Sequence, residues 1–140
     1  MPMQEKDVIR TLTVGDLGAD EDGKARALMV IPAGKFFKVT AVYISSDATV
    51  TGDNTNYNTV YIQNNNGTYN NAVIVSKAFT LASDVTQAPA SLGTISTDAS
   101  KYVVGNASAV RTVYLVEKLA GAGLAIPGAA IHIVGNWIPS

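Results

Sequence analysis

Between Pro32 and Gly67 the chain reads PAGKFFKVTAVYISSDATVTGDNTNYNTVYIQNNNG, and no other stretch restricts the fold as much. PAGK has turn composition. FFKVTAVYIS is a long run of aromatic and β-branched side chains, the residues that suit a pleated, half-buried surface. The following DATVTGDNTNYN is dense in Asp, Asn, Thr and Gly, which hydrogen-bond their own backbone or tolerate positive φ and so make loops. NTVYIQN resumes a period of two, with Val60 and Ile62 on one face and Thr59, Tyr61 and Gln63 on the other. Asn66-Gly67 then closes the unit with the strongest short hairpin signal. The first strand carries Phe37, Val39, Ala41 and Tyr43 on one face and Phe36, Lys38, Thr40, Val42 and Ile44 on the other. Both faces are partly apolar, which predicts a central strand whose second face is covered by a loop or a neighbouring subunit.

The same alternation of β-runs and Gly/Asn/Pro punctuation fills the rest of the chain. Val8–Val14, Ala25–Ile31, Ala72–Thr80, Arg111–Leu119 and Ala129–Ile138 read as strands, and Tyr102–Val104 as a short β fragment. In Ala25–Ile31 the pattern sets Ala27, Met29 and Ile31 against Arg26, Leu28 and Val30. Gly23 before this run and Pro32 after it leave too little length for a helix. Leu81–Ser100 is rich in Ser, Thr and Ala; Pro89 restricts it to an edge strand near Ser91–Thr97. Eight or nine short strands and no helix make an all-β protein, an antiparallel β-sandwich or barrel. One domain over 8–140 fits the length. The polar Met1–Asp7 forms an N-terminal arm with no alternation and an expected mobility in the free protein.

Composition removes several classes of function. Only 15% of residues are charged, against ~25% in an average soluble domain, while 47% are hydrophobic. A charge-poor chain of this size is expected to hide part of its surface in a homo-oligomer. Ten basic residues against eleven acidic ones, scattered singly, leave no electrostatic footprint for nucleic acid. No apolar run approaches the ~18 residues of a membrane span, and the polar start does not read as a secretory signal. Without cysteine there is no disulfide frame, thiol nucleophile or Cys-based metal site.

The candidate chemical motifs are weak. Gly15–Lys24 holds Asp16, Asp20, Glu21 and Asp22, but without EF-hand ligand spacing; it reads as a solvated acidic loop, with a weak cation site as the alternative. Gly121-x-Gly123 lacks the third glycine and the helix of a dinucleotide fingerprint. The single histidine, His132, faces opposite to Ile131 and Ile133, with no Ser/Asp pattern or second His from which to build a triad or metal site. Trp137 reads as a core or interface anchor. The Asn-x-Ser/Thr triplets at Asn66 and Asn106 read as ordinary turns. Eight of the ten asparagines lie between Asn54 and Asn71, with Tyr57, Tyr61 and Tyr69 among them. Loop chemistry, subunit contact and sugar binding all use such a mixture.

PAGKFFKVTAVY followed by DATVTGDNTNYNTVYIQNNNG resembles the jelly-roll decoration, or cement, proteins of tailed-bacteriophage capsids. The resemblance implies a jelly-roll sandwich preceded by a short extended arm. It also implies a trimer bound to the major capsid protein on the capsid exterior, made in the host cytoplasm, with no enzymatic activity and no cofactor. The contact residues it suggests are Pro2, Met3, Gln4, Glu5 and Lys6 of the arm, and Asp53, Asn54, Asn56, Tyr57 and Asn58 of the polar loop. A tail- or head-fibre module binding carbohydrate or a receptor is the alternative, with Tyr57 and Tyr61 stacking on a sugar and Asn58 bonding its hydroxyls.

Overall fold

The computed structural model describes residues 8–18, 22–81 and 84–139, so the arm with Pro2, Met3, Gln4, Glu5 and Lys6 lies outside the described residues, as do Asp20 and Glu21. In chain order the elements are β1 (Val8–Leu17), β2 (Ala25–Ile31), β3 (Phe36–Ser45), β4 (Tyr57–Asn64), β5 (Val73–Ala78), β6 (Ala90–Ser91), helix α1 (Ala99–Tyr102), β7 (Val103–Gly105), β8 (Arg111–Ala120) and β9 (Ile126–Trp137).

Two antiparallel sheets form the sandwich. The first has the order β1-β9-β3-β6, with β7 also on β3; the second runs β2-β8-β4-β5. β6 pairs with Tyr43 and Ile44, and β7 with Phe36 to Lys38, so the two short pieces share the flank of β3 that faces away from β9. Counted as one strand position, they give the two interleaved four-stranded sheets of a jelly roll, in which the chain keeps passing from one sheet to the other. That order, which periodicity alone does not fix, bears out the expected fold.

The inner faces meet in one core. Phe37, Val39, Val42, Ile44, Ile131 and Ile133 from the first sheet pack against Ile31, Val60, Ile62, Ile74, Val113 and Leu115 from the second. Trp137 joins this core edge-on to Phe37, with ring centroids 5.0 Å apart.

Bulges alter the facing predicted from strict alternation. In β3 the register against β9 slips between Val39 and Ala41. A one-residue slip exchanges the faces, so Phe37 and Val39 point inward before it and Val42 and Ile44 after it. The fully buried side chains of the strand therefore share one face, and Phe36, Ala41 and Tyr43 lie half-buried on the other. A second bulge between Ala27 and Met29 turns Leu28 inward together with Met29 and Ile31 and leaves Ala27 exposed. A third, opposite Ile62 and Gln63, buries both Ile74 and Val75.

Two boundaries and one element also differ from expectation. β1 runs through Gly15 and Asp16 to Leu17, because two bulges let it follow β9 past the glycine. β9 starts at Ile126 and includes Pro127. The described residues also include one short helix, α1, capped by Asp98, whose side chain accepts from the Ser100 N–H.

Candidate interaction surface

The connections β1–β2, β3–β4, β5–β6 and β8–β9 leave the sandwich at the same end, and short polar side chains tie them together. Asp16 Oδ1 in β1 accepts from the Gly128 N–H in β9 (2.9 Å). Asp84 Oδ1 accepts from Gly52 N–H (3.1 Å), Asn54 Oδ1 from Leu81 N–H (2.9 Å) and Asn56 Oδ1 from Ala122 N–H (2.8 Å). Gln87 Nε2 donates to the Asp47 carbonyl at 2.8 Å. Gly52 and Gly121 permit this closeness: a Cβ on Gly52 would lie 1.9 Å from the Thr80 carbonyl oxygen, and one on Gly121 2.5 Å from Asn56 Oδ1. The Asp/Asn density of the sequence is thus committed to fixing loops, the first of the three uses expected for it.

The named loop residues part company here. Asp53 caps its own turn, its Oδ1 accepting from the N–H groups of Thr55 (2.6 Å) and Asn56 (2.8 Å). Those two bonds, that of Asn56 the larger, hold its carboxyl below the usual aspartate range. Asn54 is exposed, Asn56 and Tyr57 are half-buried. Asn58 corrects the expectation, because it is fully buried and cannot reach a partner or a sugar. Its Nδ2 donates to Glu117 Oε1 (3.0 Å) and to the Leu124 carbonyl (2.6 Å), and its Oδ1 accepts from Leu124 N–H (2.8 Å). Asn58 sits inside because it shares the inward parity of Val60 and Ile62; β4 begins at Tyr57, so the polar loop ends at Asn56.

Tyr57 and Tyr61 do lie on the outer face of the second sheet. Tyr61, however, packs edge-on against Tyr69, with centroids 5.2 Å apart. Burial, then a hydrogen bond with Tyr69, raises the Tyr61 phenol above its ordinary value. Lys118 Nζ stands 5.5 Å over the Tyr69 ring and 3.3 Å from Asp22 Oδ2. Asp22 also accepts from Leu119 N–H at 3.0 Å. That bond first, then Lys118, lowers its carboxyl. The Tyr61 and Tyr69 rings are engaged with each other, and Asn58 is inside, so Tyr57, Tyr61 and Asn58 do not assemble into the sugar site that the sequence suggested.

The first sheet brings together a set that sequence spacing could not show. Ser45 of β3 and Thr11 of β1 flank His132 on β9, with Ser45 Oγ 2.9 Å from Nε2 and Thr11 Oγ1 3.0 Å from Nδ1. A cleft of about 420 Å³ beside them is lined by Thr13, Ser45, Ser46, Asp47, Gln87, Gly128 and Ala130. A serine paired with a histidine is half of a nucleophilic site. The other half, a carboxylate that steadies the imidazolium, is replaced by the neutral Thr11 hydroxyl. The Gly128 and Asp47 N–H groups that border the cleft are already bonded to Asp16 and to the Pro127 carbonyl.

Among the described residues no three His, Asp or Glu groups converge on a metal position, and Asp16 and Asp22 point to different backbone partners. No helix of the described residues is long and apolar enough to cross a membrane. Comparison of the chain with family models, with curated proteins and with solved structures finds no match.

Proposed function

We propose that this chain is a structural virion protein that decorates the outside of a phage capsid and binds the major capsid protein through the end of the sandwich bearing the Asp/Asn-tied loops. The observation that supports the reading most is the cross-bonding of those loops. A surface fixed before contact loses less conformational freedom on docking than mobile loops do. The groups left outward on it include the uncharged Thr55, Leu81 and Ala122, beside the exposed Asp47 and Asp84; Leu81 is 61% exposed. Apolar and small uncharged groups are what the centre of an interface accepts, because no charge there has to be stripped of water. The jelly-roll order agrees with what the resemblance implies.

Such a protein acts by linkage. It binds the assembled lattice better than separated subunits, and the lattice gains RT ln(1 + [L]/Kd) per site, ~2.7 kcal/mol at a hundred-fold excess over Kd. The direct test is density on purified particles incubated with the protein, by cryo-microscopy. The expected result is density on the outer surface, with the loop end against the capsid, and its loss with Leu81→Asp while the variant stays folded. Density at tail or fibre positions, or undiminished capsid density with Leu81→Asp, would overturn this assignment of the surface.

A further inference from the structure

A two-sheet sandwich has four edges, and three of them here are blocked. Beside β5 runs the segment 91–96, with Ser96 N–H donating to the Ile74 carbonyl and Lys77 Nζ reaching the Ser91 carbonyl. The opposite edge of the first sheet is broken into β6 and β7, two and three residues long. β2 is bent by its bulge and stops at Pro32. Short, bulged or covered edges are the usual defences against strand pairing.

β1 differs from the others. Its second half is closed, since it bulges around Gly15 and the Arg26 guanidinium donates to the carbonyls of Val14 (2.7 Å) and Asp16 (3.1 Å). Its first half, Val8–Thr13, pairs regularly with β9, and no described residue hydrogen-bonds its other side. Ile9 is 65% exposed, and Arg10, Thr11 and Thr13 are exposed as well.

We infer that Val8–Thr13 is a self-association edge that pairs antiparallel with the same segment of a second copy, joining the two first sheets into one continuous sheet across a two-fold axis. The segment complements itself. It contains a single charge, Arg10. A register centred on Thr11 sets Arg10 opposite Leu12 of the partner subunit, whereas one centred on Arg10 would oppose two guanidinium groups, which cross-strand pairing disfavours. In the Thr11 register Ile9 lies opposite Thr13 of the partner subunit, and both belong to the outer face that carries Val134 and Ala130. Main-chain ladders supply the affinity in strand addition of this kind. The contact is isologous, so it makes dimers where the resemblance implies trimers. It stands whether or not the capsid reading does.

The test uses the whole chain in solution. Sedimentation should show a dimer with twice the chain mass, and the double variant Ile9→Lys, Thr13→Lys, which opposes ammonium groups across the axis, should sediment as a folded monomer. Because the chain has no cysteine, Thr11→Cys places a lone thiol at the axis, and mild oxidation should crosslink it faster than a thiol at Thr55→Cys. A monomer or a trimer for the unaltered chain, or equal crosslinking of the two thiol variants, would overturn the inference.

Discussion

Replacing Asn58 by alanine removes two donors and an acceptor from a fully buried position. It takes away the bonds that Asn58 makes to Glu117 Oε1 and to both main-chain polar groups of Leu124. Each buried bond so lost costs ~1–3 kcal/mol, and at roughly 2–4 °C per kcal/mol for a chain near this size the melting temperature should fall by several degrees or more. A calorimetric scan of Asn58→Ala that overlays the unaltered protein would contradict the account of this residue. Asp53 makes the complementary case on the surface. Its carboxylate is held by two N–H groups that the unfolded chain lacks, so its folded pKa lies below its unfolded one. The stability it contributes is therefore present above the ordinary aspartate pKa, ~3.9, and is lost as pH falls through the folded value. Asp53→Ala should melt below the unaltered protein at pH 7, and the gap should close as pH drops below about 4. A gap that stayed constant to pH 2 would rule out the carboxylate as its source. Sequence alone showed that these residue types make loops. It could not show that Asn58 has crossed into the strand, because an amide at an inward position looks like one more loop asparagine until its parity with Val60 and Ile62 is used.

At the scale of the strand, the bulges decide which side chains are inside. The strand limits were mostly legible, since β-branched runs between turn residues mark them well; β2 and the start of β8 fall where the pattern set them. The facing was not legible wherever a bulge intervenes, because one inserted residue leaves composition unchanged while reversing every later side chain. β3 offers the test. Deleting Thr40 should remove the slip while leaving Val39 opposite Gly135 and Ala41 opposite Val134, so that plain alternation keeps Val39, Val42 and Ile44 on the inner face and the fold should survive. A Thr40 deletion that lost its cooperative transition would contradict the assignment of Thr40 as the bulged residue. Gly135 lies opposite Val39 at the bulge, and a Cβ there would stand 2.2 Å from the Lys38 carbonyl oxygen. Gly135→Ala should therefore destabilise by ~1–3 kcal/mol through crowding, readable as a lower denaturant midpoint with unchanged slope.

At the scale of the whole molecule, the many short strands pointed to a sandwich, while the pairing order of β1-β9-β3-β6 and β2-β8-β4-β5 needed the structure, since long-range partners leave no periodic mark. The gathering of four loops at one end is likewise a product of topology: stretches near residues 16, 54, 84 and 122 become neighbours only because each connection leaves the sheets in the same direction. From that end follows the functional reading, a preformed surface that adds its binding energy to a lattice. Heating particles stripped of the protein alongside particles carrying it measures that contribution directly. Decorated particles should rupture at a higher temperature, with the difference growing with protein concentration until the sites fill and shrinking with Leu81→Asp. Equal rupture temperatures for bare and decorated particles would contradict the claim that this protein stabilises a capsid.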